Sequence, residues 1–274
     1  MANLGKFPFS VIFPKTFSYL HIYVPLRHPK YLQRELDDIN VIIKKGTGVN
    51  FAGFRWFPRA ILIWPEQILQ ETAIKNIDLG KKSDLLKVLR YLDGFPKYQT
   101  NLIHEYEHSL QEINIFKIPL GLGKTYPFAH QMLGLKDNTV LSDMSRAFLM
   151  LFSRKYRILD VLYSYSLDPK EVEARFSEWI FLKVKGYDTH TIGCLDYVIG
   201  KSPVKLEQDL QSINAGLDEL ARTKPRGWRT KAAMLEREKI NAQELLKVYP
   251  TIDKEAERMA SLLKKRMEIL KSNN

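Results

Sequence analysis

The residues of this chain best suited to chemistry lie in Leu102-Ile-His104-Glu105-Tyr-Glu-His108. Side chains four apart on a helix share a face, so His104 and His108 can set both imidazoles on one metal ion. Glu105 projects beside that ion, where it can take a proton from bound water and later give it to a leaving amine. Such a set hydrolyses an acyl bond. A catalytic zinc also needs a third protein ligand and one position open to water. None of the remaining histidines, His21, His28, His130 and His190, follows His108 at short spacing. A carboxylate from a second helix is the other solution. The segment Asp168-Pro-Lys-Glu171-Val-Glu173-Ala-Arg-Phe176 offers Glu171, or Glu173 if that helix is rotated. Glu171 reads equally as the reciprocal member of a capping box led by Asp168.

These residues need elements to hold them. Leu102, Ile103, Tyr106, Leu110 and Ile113 recur at three-to-four spacing, which predicts a helix from Thr100 to about Phe116. Asp168 and Pro169 form a cap and first turn, so a second helix is expected from there to about Lys185. The tract before them reads as β-rich. Phe17–Val24 and Arg59–Trp64 carry aromatic and β-branched residues bounded by prolines, as strands do. Pro29 to Ile43 reads as a short helix, Glu66–Leu92 as helical with a break near Asp78-Leu-Gly80, and Leu141–Leu162 as an apolar helix. Beyond Gly200 aromatics thin out, and Leu206–Arg222, Lys231–Val248 and Asp253–Lys271 read as three helices divided by Lys224-Pro-Arg-Gly227 and Tyr249-Pro250. The fold expected is α+β, with a small N-terminal sheet and a mainly helical remainder over residues 1–200. A helical C-terminal appendage follows over 201–274, suited to packing on the main domain or on a partner protein.

HExxH followed by a helix carrying Glu-x-x-Ala resembles the gluzincin metallopeptidases. Within them, Glu-Val-Glu-Ala-Arg-Phe at 171–176 is similar to the Glu-x-Glu-Ala-Asn-x-Phe signature of ImmA/IrrE-type peptidases. The longer pattern, His-Glu-x-x-His-x-x-Gln from His104 to Gln111 and then Pro-x-Glu-x-Glu-Ala-Arg, is also similar to metallopeptidase-like domains of phage polyvalent proteins. The resemblance covers residues 100–176. It implies a zincin-like domain in which His104, His108 and Glu171 bind Zn2+ and Glu105 is the general base. It also implies a phage or mobile-element setting. The interval from His108 to Glu171 exceeds that of the compact ImmA-like enzymes, making 115–165 an insertion. Arg175 stands where many gluzincins carry an Asp that supports a ligand histidine; at i+4 it can pair with Glu171. Such an enzyme needs a donor to the oxyanion. Tyr165 is the preferred candidate, with Tyr163, His130 and His190 beside it. The strand at Ala60–Trp64 is placed to be the edge that pairs with an extended peptide substrate.

Composition bounds the alternatives. The chain has 274 residues, 45% hydrophobic and 27% charged, which suits a folded chain with a substantial core. Its one cysteine, Cys194, rules out an internal disulfide framework and a Cys-based zinc finger. No run of apolar residues is long enough to span a membrane. Pro8 and Pro14 break up the only apolar stretch near the start, so no secretory signal is expected, and an intracellular or virion-packaged protein is. Gly121-Leu-Gly123-Lys124-Thr125 fails as a phosphate loop because Ile118 stands where the first glycine belongs. Gly46 to Gly53 fails as a dinucleotide fingerprint at Phe51. A net charge of +11 favours anionic partners. Nucleic acid therefore stands as a possible partner without a motif. The reading of another class is a basic, non-catalytic structural or nucleic-acid-associated protein that keeps the peptidase-like fold.

Overall fold

The computed structural model describes residues 3–28, 39–46, 52–55, 60–71, 77–117, 169–187 and 203–272. Four strands, β1 (Asn3–Pro8), β2 (Asn40–Lys44), β3 (Ala52–Arg55) and β4 (Ala60–Ile63), form one sheet in the order β1-β2-β4-β3. β2 pairs antiparallel with β1 and parallel with β4, and β3 pairs antiparallel with β4. The helices are α1 (Phe9–Ile12), α2 (Pro14–Arg27), α3 (Pro65–Glu71), α4 (Lys82–Leu92), α5 (Pro96–Lys117), α6 (Pro169–Lys185), α7 (Pro203–Thr223) and α8 (Trp228–Ser272). The architecture is mixed α+β, mostly helical with a small sheet. Among the described residues, no helix is long and apolar enough to cross a membrane.

The chain divides into two compact units. One comprises residues 1–125, 180–187 and 258–274, and the other 126–179 and 188–257. In the first, Val41, Ile43, Ile61 and Ile63 of the sheet are fully buried, as are Phe9, Leu89, Leu102 and Tyr106 of the helices and Phe13 between α1 and α2. The second contains most of α6, all of α7 and α8 as far as Glu257. A seam of Leu206 and Ala242, flanked by Leu210 and Leu246, holds α7 and α8 together as a hairpin.

Three expectations are corrected. Phe17–Val24 is not a strand but the middle of α2. Its aromatic and β-branched residues raise strand propensity, yet the buried positions Thr16, Tyr19, Leu20, Tyr23 and Val24 follow the helical period. Pro14 sits at the helix start, where a missing N–H costs nothing. The end of the expected Pro29–Ile43 helix is instead β2, whose Val41-Ile-Ile run is buried between two neighbouring strands. Pro250 does not divide the tail. α8 runs through it, and burial of Ile252, Ala256, Met259 and Leu263 beyond it offsets the lost hydrogen bond.

A distant carboxylate caps α2. Asp93, 2% exposed, lies in the turn after α4. Its carboxylate accepts hydrogen bonds from the Lys15 N–H at 2.6 Å, the Thr16 N–H at 2.9 Å and the Thr16 hydroxyl at 2.6 Å. Those N–H groups belong to the first turn, which the helix itself leaves without acceptors. Gln99 in turn donates to the Asp93 carbonyl at 2.9 Å, tying the start of α5 to the same turn. Asp93→Ala is expected to destabilise the protein by about 2–3 kcal/mol, since it strands buried donors. Urea unfolding of the variant beside the parent checks this, and an unchanged midpoint would refute it.

Candidate metal centre

α5 is oriented by its buried face. At about 100° per residue, Tyr106 lies roughly opposite the midpoint of the stripe formed by His104 and His108. The Tyr106 ring is fully buried and meets Phe9 edge-on at 5.2 Å, while Phe9 packs on Phe13 at 5.2 Å. Anchoring Tyr106 in this aromatic cluster turns the two histidines to the other side of the helix. There the His104 and His108 rings meet edge-on, with Nε2 atoms 3.0 Å apart. Two nitrogens bound to one tetrahedral zinc stand about 3.3 Å apart, so this spacing fits a shared ion.

The two glutamates of the motif flank that stripe on opposite sides, each about 80° from its midpoint. Their surroundings differ. Glu107 is 1% exposed and its Oε1 lies 2.7 Å from His28 Nε2, itself buried at the end of α2. Burial, with Tyr23 and Glu107 nearby, pushes the Tyr19 phenol well above its ordinary value and keeps that hydroxyl protonated. Glu105 is half-buried. It keeps access to solvent, which a group exchanging protons with water needs. The sequence signal for this division is at helical spacing: Glu107 has Ile103 and Leu110 as i−4 and i+3 neighbours, whereas Glu105 has Asn101 and Ser109 at i−4 and i+4.

Gln111, which ends the His-Glu-x-x-His-x-x-Gln pattern, supports His108. Its side chain is 2% exposed, and its Oε1 accepts from His108 Nδ1 at 2.8 Å. That bond puts the proton on Nδ1 and leaves the Nε2 lone pair available to a metal. Gln111→Leu removes the acceptor at similar volume. It is expected to weaken zinc binding about 10–100-fold, with Gln111→Glu restoring it. Competition against a chromophoric chelator measures this, and equal affinity in all three proteins would show that the bond does not orient His108.

On α6, Glu171 is in the first turn and half-buried, whereas Glu173 is wholly buried. Arg175 donates to Glu178 Oε1 at 2.8 Å, with the Glu178 carboxylate fully buried. This bond reaches one turn forward along α6. The end of α6 lies in the first unit, where Phe181 meets Tyr19 edge-on at 4.9 Å. On α2 the His21 ring lies 4.2 Å from that of Phe17, the two planes tilted by 54°. Tyr165, Tyr163, His130, His190, Asp168 and Cys194 lie outside the described residues. Ala60–Ile63 is not an edge strand: β4 lies between β2 and β3, and among the described strands the edges are β1 and β3. Compared with family models, with curated proteins and with solved structures, the chain matches none of them, so the reading of this centre rests on its own residues.

Proposed function

We propose that this protein is a zinc-dependent hydrolase of peptide bonds, with a zincin-like catalytic region of the gluzincin type. The observation that carries this is the division of labour on α5. Two imidazole nitrogens converge to 3.0 Å, one adjacent glutamate is only half-buried, and the other is buried against a histidine. His104, His108 and Glu171 are the ligands. Bound zinc supplies a Lewis acid for the peptide carbonyl and lowers the pKa of water. Gln111 holds His108 in the ligating tautomer. Glu105 removes the proton from the attacking water and returns it to the departing amine. Tyr165 is the proposed donor to the oxyanion. The substrate is a protein segment bound in extended form, and β3, an edge strand packed on α5, is the strand to which it would add.

Incubation of the zinc-loaded protein with a mixture of denatured proteins, followed by mass spectrometry of new chain ends, tests this reading. New ends that form with the parent and not with Glu105→Gln are expected. A zinc-loaded parent that forms none would refute it. A second reading is favoured by Arg175, whose bond to Glu178 leaves a cation where a carboxylate would support a ligand histidine. That reading is a basic, non-catalytic protein with the same architecture, and in it Glu105→Gln behaves as the parent in every assay.

A further inference from the structure

The tip of the helical hairpin concentrates positive charge. From Leu220 to Leu235 there is no acidic residue, while Arg222, Lys224, Arg226, Arg229 and Lys231 supply five cations. All five are exposed, and none makes an ion pair among the described residues. The base of the same hairpin differs: there Lys205 pairs with Asp209 at 3.3 Å. Nearly half of the chain's net charge of +11 is therefore displayed, uncompensated, on one tight reversal.

The backbone at the tip is well defined. α7 ends with the Lys224 N–H donating to the Leu220 carbonyl at 3.0 Å, and α8 begins with the Trp228 N–H donating to the Pro225 carbonyl at 2.9 Å. Lys224 (φ 45°) and Gly227 (φ 78°) both adopt the left-handed conformation that reverses the chain. Glycine is the unstrained residue at such a helix end, yet position 224 carries a lysine. Close below, a Cβ on Gly216 would stand 3.2 Å from Leu235, so the two helices approach closely and hold the tip narrow. Trp228 is half-buried, with the Arg229 guanidinium 5.7 Å from its ring.

We propose that this tip binds the phosphate backbone of nucleic acid. Three of the five cations are arginines, whose planar forks match phosphate oxygens. Docking on a membrane surface calls for an apolar face beside the charge. Here the large apolar side chains between Arg222 and Lys231 are Trp228, half-buried, and Pro225. The inference does not depend on the metal centre.

Fluorescence anisotropy of the full chain with a labelled 20-nucleotide single strand and a 20-base-pair duplex, over a salt series, tests it. Anionic phosphatidylserine vesicles serve as the competing surface. Five phosphate contacts predict a slope of log K against log salt near −3.5 for the single strand and near −4.5 for the duplex. Reversing Arg222, Arg226 and Arg229 to Glu is expected to weaken binding at least tenfold with little change in the unfolding midpoint, since these side chains are exposed and make no ion pair among the described residues. Reversing Lys264, Lys265 and Arg266, exposed near the end of α8, is expected to change it less than threefold. Equal losses in the two triple variants would overturn the proposal in favour of diffuse charge. Absence of nucleic-acid binding at low salt would overturn it too, as would vesicle binding alone being lost from the tip variant.

Discussion

Replacing Glu107 with alanine is expected to destabilise the protein by about 3–5 kcal/mol, the cost of removing one member of a buried ionisable pair. Glu107 and His28 are 1% and 6% exposed and stand 2.7 Å apart, joining the middle of α5 to the end of α2. Without the carboxylate, the imidazole faces a dry void that neither water nor another acceptor readily fills. In a chain of this size the thermal midpoint should fall by about 10 °C. Glu107→Gln keeps the volume and an oxygen acceptor, so it should fall by less. His28→Ala and Glu107→Ala combined should cost clearly less than the sum of the two, because they share one interaction. Thermal unfolding followed by circular dichroism measures all four proteins. A shift of under about 2 °C for Glu107→Ala would mean that the pair does not hold the two helices together.

Glu105→Gln should give the opposite phenotype. The amide has the shape of the carboxylate but cannot carry a proton between water and the leaving amine. Peptide hydrolysis should therefore fall about 10²–10⁴-fold, the usual contribution of a general base. Zinc content and the unfolding midpoint should match the parent, since Glu105 is half-exposed with polar neighbours at i±4. Two glutamates two residues apart on one helix thus differ in environment, and one is expected to set turnover and the other stability. Loss of turnover in Glu107→Gln at parental stability, with Glu105→Gln active, would reverse the assignment.

How far the sequence could be read depended on which physical signal dominated each segment. Regular spacing made α5 and α6 legible, because one buried stripe on a helix writes itself at three-to-four intervals. The α2 segment carried the same stripe at Thr16, Tyr19, Leu20, Tyr23 and Val24, but its tyrosines, isoleucine and valine spoke for a strand. Burial against the rest of the unit decided it. β2 is only five residues long, too short for a periodic signal, and its partners lie elsewhere in sequence. Pro250 read as a terminus because proline removes a donor, and only the burial beyond it shows why the helix continues. At the site, spacing alone joined His104 to His108. It could not tell Glu105 from Glu107 with the same force, because the partner of Glu107, His28, is far away in sequence.

The most direct test of the central claim is the metal content of protein purified without chelator, measured for the parent and for His108→Ala and Glu171→Ala. About one zinc per chain in the parent, lost from both variants, is the expected result for a three-ligand site. A parent without metal that also fails to take up added zinc would contradict it. The 3.0 Å approach of His104 and His108 would then be a hydrogen bond between two imidazoles on the face of a structural helix.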